Sequence, residues 1–174
     1  MTDDLFNICI IPNPVLRERC APVDKVDAAA RRTMERMLRT MYDAPGIGLA
    51  ASQVGILQRL MVVDLGRAAQ ATPLMMANPD LVWHDPAETF TYPEGCLSIP
   101  GHYADVTRPK RVRVRYIDEN NQAQEIEADD LLSSCLQHEM DHLNGVLFID
   151  HLSPLKRKMI LKKVEKEQSR EHLL

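Results

Sequence analysis

A chain of 174 residues is long enough for one domain with a substantial core, and its net charge of −4 is too mild to make nucleic acid its main partner. Only 5% of residues are aromatic, and nine methionines share the filling of the interior. No apolar run approaches the ~20 residues that cross a bilayer, and the acidic start Met-Thr-Asp-Asp-Leu-Phe is unlike a signal peptide.

The first clear helix covers residues 27–43. Ala30, Met34, Met37, Leu38 and Met41 share a face opposite Arg31, Arg32, Glu35, Arg36 and Arg39, and Pro45 and Gly46 stop it. A run of small residues, Gly46-Ile-Gly-Leu-Ala-Ala-Ser-Gln53, follows. Residues 60–65 and 74–83 read as strands, with Pro79 marking a break or edge in the second. Residues 110–118 alternate Val112, Val114 and Tyr116 with Arg111, Arg113 and Arg115, the pattern of a half-buried strand. A turn at 118–121 returns the chain as a hairpin partner over 124–128, whose acids can pair with the arginines. Asp129 and Asp130 offer a cap for a helix reaching about Asn144, with Gly145 as its stop. Ser153 and Pro154 open a last helix running to about Glu171. The fold class is therefore α+β: antiparallel sheets packed around a central helix, with a C-terminal helix. Residues 1–152 are read as the body of the domain and 153–174 as a C-terminal basic helix of the same domain.

Residues 138–142 read His-Glu-Met-Asp-His. Positions four apart stack on one helix face, so two imidazoles can reach one ion, with Glu139 beside them to act on water. The flanking Leu131, Leu132, Cys135, Leu136, Met140 and Leu143 make the helix an interior one. A catalytic site of this kind takes a third protein ligand and keeps a position open. A third histidine of the extended protease pattern would fall at Phe148, so that pattern fails. Glu165 or Glu167 would serve a zinc endopeptidase, but both lie in a highly charged helix. Cys135 is three residues before His138, and Cys96 follows a glycine in what reads as a loop. Helical spacing leaves the choice between them open. Cys9 and Cys20 carry no motif, no Cys-x-x-Cys pair exists, and a reduced, cytoplasmic protein with free thiols is expected.

Three separated segments decide the matter by resemblance: Gly46-Ile-Gly-Leu-Ala-Ala-Ser-Gln53, Glu94-Gly-Cys-Leu-Ser98 and Gln137-His-Glu-Met-Asp-His142. In this order they resemble the signatures of the peptide deformylases. The resemblance implies Cys96, His138 and His142 as ligands of one divalent metal, Fe2+ above all, with Ni2+, Co2+ or Zn2+ able to replace it. It implies N-formylmethionyl peptides as substrates and formate as a product. Glu139 is then the proton-transfer group, and the Leu97 backbone N–H and the Gln53 side-chain amide are the oxyanion donors. Gly48 admits the substrate backbone, and Ile47, Tyr92, Leu131, Cys135 and His138 line the methionine pocket. Glu94 and Arg108 form a structural ion pair. Ser134 stands where an aliphatic residue is frequent among relatives, and Tyr103 where arginine is.

Two rival readings remain: the zinc endopeptidase, and a structural or inactive metal-binding relative, against which the intact Glu139 argues. The final helix carries seven Lys/Arg and three Asp/Glu, a net +4 that leaves −8 on the rest of the chain. Leu155, Met159 and Ile160 would anchor it to the body. The resemblance implies that its basic side docks on the ribosome near the exit tunnel. A monomer working without DNA or membrane is expected.

Overall fold

The structure is a computed structural model that describes residues 4–66 and 72–173, so the first three residues of the acidic start and the last residue of the basic tail lie outside it. Helix α1 spans Ala28–Asp43 and begins where the Asp27 side chain accepts from the Ala30 N–H at 2.8 Å. Strands β1 (Gly48–Ala50), β2 (Leu60–Val63) and β3 (Leu74–His84) follow, then β4 (Thr89–Cys96), β5 (Ile99–Pro109), β6 (Arg111–Ile117) and β7 (Ala123–Asp129). Helix α2 covers Asp130–Leu143 and α3 covers Pro154–Glu171. Among the described residues no helix is long and apolar enough to cross a membrane.

One antiparallel sheet has the order β1-β2-β3-β6-β7, and β4 and β5 form a separate two-stranded ribbon. Because successive side chains of a strand point to opposite faces, β2 serves two cores. Leu60 and Val62 pack with the α1 methionines Met34, Met37 and Met41, while Met61 and Val63 join Cys135, Leu136 and Leu143 of α2. The sheet thus lies between α1 and α2. A third cluster, under the ribbon, gathers Ile11, Leu16, Ile99, Val106, Phe148, Ile149 and Val164. The α+β expectation holds.

Local expectations fare unevenly. Strand β3 breaks register between Ala77 and Asp80, around Pro79, with Asn78 at φ +49°. Arg113 and Arg115 pair with Glu125 and Glu127 across the β6–β7 hairpin, as the alternation predicts. Asp129 stands at the start of α2, but its side chain makes no capping bond; the helix leaves β7 directly, with the Asp130 N–H donating to the Lys110 carbonyl. The β4–β5 ribbon is not foreseen. Pro93, Gly95, Pro100 and Gly101 mask its strands, and the expected Cys96 loop is the tight end of a hairpin in which Cys96 pairs with Ile99. The anchor of α3 also differs. Leu155 is 69% and Met159 50% exposed, whereas Val164 is buried and Ile160 partly so. The buried stripe runs through Ile160, Val164 and Gln168, at helical spacing one step away from Leu155 and Met159.

Candidate metal centre

Helix α2 presents His138 and His142 one turn apart, with ring centroids 5.0 Å from each other and both side chains buried. The hairpin at the end of β4 brings Cys96 to the same point, its Sγ 3.3 Å from His142 Nε2. One donor atom from each of Cys96, His138 and His142 lies within 4.8 Å of the others, and this is the one such group among the described residues. One thiol and two imidazoles suit a borderline-soft divalent ion rather than calcium or magnesium. Three protein donors would leave a fourth position open on a tetrahedral ion, as a catalytic site requires.

Other side chains hold these donors in place. Gln53, buried at the end of a short 3-10 turn (Ala51–Val54), accepts from the Ala50 N–H at 2.9 Å. Its Nε2 donates to Ser98 Oγ at 3.1 Å and lies 3.5 Å from Cys96 Sγ. Glu94 Oε1 meets His138 Nδ1 at 2.8 Å, which turns the other ring nitrogen towards the cluster. Arg108 grips the same Glu94 through two bonds of 2.7 and 3.0 Å, both residues being only 5% exposed. A further Arg108 nitrogen donates to Asp141 at 2.9 Å, and Asp141 meets His151 Nε2 at 2.8 Å. Sequence reasoning missed Ser98, Asp141 and His151; the first two sit inside the quoted motifs and so carried a signal.

The charges are set accordingly. Burial alone pushes the Glu94 carboxyl up, but hydrogen bonds from His138 and Arg108 outweigh it and hold the pKa at about 2. Glu139, buried and with one carboxylate oxygen lacking any partner, is raised by burial to about 7, although the His138 charge opposes the shift. Burial and the neighbouring His138 hold His142 well below the usual imidazole range, in the neutral form that a metal ligand needs.

A cavity of about 560 Å³ opens on this cluster and is lined by Ile47, Gly48, Tyr92, Leu97, Leu131 and Cys135, together with Gln53, His138 and Glu139. Every residue expected for the methionine pocket therefore faces one space. Cys135 stays out of the donor cluster, because its thiol turns to the Ile47 carbonyl at 3.8 Å. Glu165 and Glu167 lie exposed on α3 and outside the cluster, and Phe148 stacks on the His138 ring at 6.1 Å. The structure also gives Gly48 a second reason. A Cβ there would stand 2.5 Å from Glu139 Oε1 and 3.0 Å from Cys135 Sγ.

An α+β scaffold that sets a Cys-His-His cluster and a buried carboxylate at the floor of one cavity defines the class of mononuclear metal hydrolases. The sequence matches the family described as polypeptide deformylase over residues 5–158, and the chain belongs to that family. It is 51% identical over 160 residues to a peptide deformylase of Mesorhizobium japonicum, covering 91% of this chain and 90% of that one. The fold superposes on a crystal structure of a peptide deformylase from Legionella pneumophila with a TM-score of 0.89 at 39% identity, covering 97% and 98% of the two chains. A peptide deformylase from Ehrlichia chaffeensis in complex with actinonin matches with a TM-score of 0.89 at 36% identity, covering 94% of this chain and 97% of that one.

Proposed function

We propose that this protein removes the formyl group from N-formylmethionyl peptides by hydrolysis, at one divalent ion held by Cys96, His138 and His142. The observation that carries the proposal is that the cluster of three donors reaches one cavity through Cys96 and His138, and that Glu139, with a buried carboxylate oxygen lacking a partner, lines the same cavity. Fe2+ is the proposed resident, with Ni2+, Co2+ or Zn2+ as replacements. A divalent ion there would supply Lewis acidity and lower the pKa of water from ~15.7 towards 7.

The chain's own groups do the rest. Glu139, with its carboxyl raised to about 7, accepts a proton from the attacking water and returns it to the departing amine. The Leu97 backbone N–H and the Gln53 side-chain amide donate to the oxygen on which negative charge develops, each worth ~3 kcal/mol in such a role. Glu94, fixed by Arg108, holds His138 in one orientation and tautomer. Ile47, Tyr92, Leu131 and Cys135 receive the methionine side chain, whose burial contributes roughly 1.5–3 kcal/mol.

Metal-loaded protein is expected to release formate from formyl-Met-Ala-Ser. No formate, with cleavage at an internal peptide bond instead, would transfer the site to the endopeptidase reading. We further propose a cytoplasmic monomer, with residues 1–152 as the catalytic part. The exposed lysines of the helix within residues 153–174 are proposed to contact anionic RNA of the ribosome near its exit tunnel. Such binding weakens steeply with salt as counterions are released.

A further inference from the structure

Helix α2 turns Leu131, Ser134, Cys135 and His138 to the cavity at the three- and four-residue spacing of one face. Ser134 lies in the middle of that stripe. Its side chain is 2% exposed, and its Oγ has no hydrogen-bond partner. The adjacent serine shows the contrast. Ser133 Oγ donates to the Pro109 carbonyl at 3.0 Å and accepts from Gln137 Nε2 at 3.0 Å. A buried hydroxyl without a partner is costly, and although the cavity that Ser134 lines holds polar residues such as Gln53, His138 and Glu139 beside the apolar Ile47 and Leu131, none of them bonds to its Oγ. The remaining source of a partner is whatever fills the cavity, and a serine hydroxyl reorients between staggered rotamers at small cost.

We propose that Ser134 is a specificity-determining residue whose hydroxyl donates to an acceptor near the end of the substrate's first side chain, so that the enzyme takes formyl peptides beginning with methionine sulfoxide as well as methionine. The assignment rests on the proposed function. A thioether sulfur is a weak acceptor and leaves the hydroxyl poorly paired, whereas a sulfoxide oxygen on the same side chain pairs it fully.

The test compares metal-loaded wild type and Ser134→Ala on formyl-Met-Ala-Ser and on the same peptide with methionine sulfoxide first. The preference for methionine over the sulfoxide, as a ratio of kcat/KM values, is expected to rise about fivefold in Ser134→Ala, the worth of one ordinary net hydrogen bond. The melting temperature of the free variant is expected to equal or exceed that of wild type, because the lost hydroxyl has no bond in the folded protein. An unchanged ratio, or a lower melting temperature, overturns the assignment. If neither protein releases formate, the proposed function fails. Calorimetric binding of Met-Ala-Ser and its sulfoxide then reads the same preference, and an equal affinity ratio in both proteins overturns the role of Ser134.

Discussion

At the scale of single residues, the proposed roles separate holding a metal from moving a proton. Cys96→Ser is expected to lose bound metal, because it removes the thiol that lies 3.3 Å from His142. Cys135→Ala is expected to keep it, since that thiol faces Ile47; metal content after dialysis distinguishes the two, and the reverse pattern would refute the ligand set. Glu139→Gln keeps the shape but cannot take the proton. Formate release by the metal-loaded variant is expected to fall about 10²–10⁴-fold, and near-normal turnover would end the proton-transfer role. Gly48→Ala places a methyl 2.5 Å from Glu139 Oε1, so the carboxylate must move. Metal should remain bound while kcat falls, and an unchanged kcat would show that the site tolerates the shift.

At the scale of elements, the ribbon and α2 are joined through Glu94. Its carboxyl is depressed from 4.5 to about 2, so its contribution to stability is fully present above about pH 4.5 and is lost as the pH falls towards 2. Glu94→Gln leaves Arg108 with a buried charge deprived of its nearest partner, and breaking such a pair costs about 3–5 kcal/mol. Urea unfolding at pH 7 should show the loss, and its size should shrink as the pH drops through that window. A constant difference between pH 7 and pH 3 would contradict the linkage. Helix α3 calls for a different test. Val164 is buried, Gln168 donates to the Ile11 carbonyl at 2.8 Å and Glu167 meets His102 at 3.1 Å, so deleting residues 157–174 would damage the body as well as the basic surface. Charge reversal at the exposed Lys158 and Lys162 avoids this. It should reduce low-salt ribosome co-sedimentation and leave hydrolysis of a short peptide near normal; unaltered co-sedimentation would dismiss the docking surface. The elements themselves differ in how legible they are. The hairpin of β6 and β7 is written in strict alternation, and α2 in its apolar flanks. The ribbon of β4 and β5 is hidden because its prolines and glycines serve the local shape around Cys96 and because the residues it packs on, such as Ile11, Leu16, Phe148 and Val164, are distant in sequence. The α3 anchor misleads because Leu155 and Met159 look like a core stripe, while tertiary contact selects the face one step round.

At the scale of the whole molecule, the sheet divides the interior, with α1 on one face and α2 on the other. The three motif segments come from β1 and its following turn, the β4–β5 hairpin and α2, and only folding brings them to one cavity. That is why the family was legible from the motifs while neither the choice between Cys96 and Cys135 nor the two-bond grip of Arg108 on Glu94 could be read from spacing. The donor set has a further consequence. Cys96 and His142 are 46 residues apart and belong to a hairpin tip and a helix that share no backbone pairing. An ion binding both would act as a removable cross-link. By the measure used for a disulfide closing a loop of that length, restricting the unfolded chain is worth about 4 kcal/mol. Stripping the metal should therefore lower the melting temperature and speed amide exchange at the ribbon tip more than in strands β2 and β3, making the centre a clasp on the architecture that surrounds it.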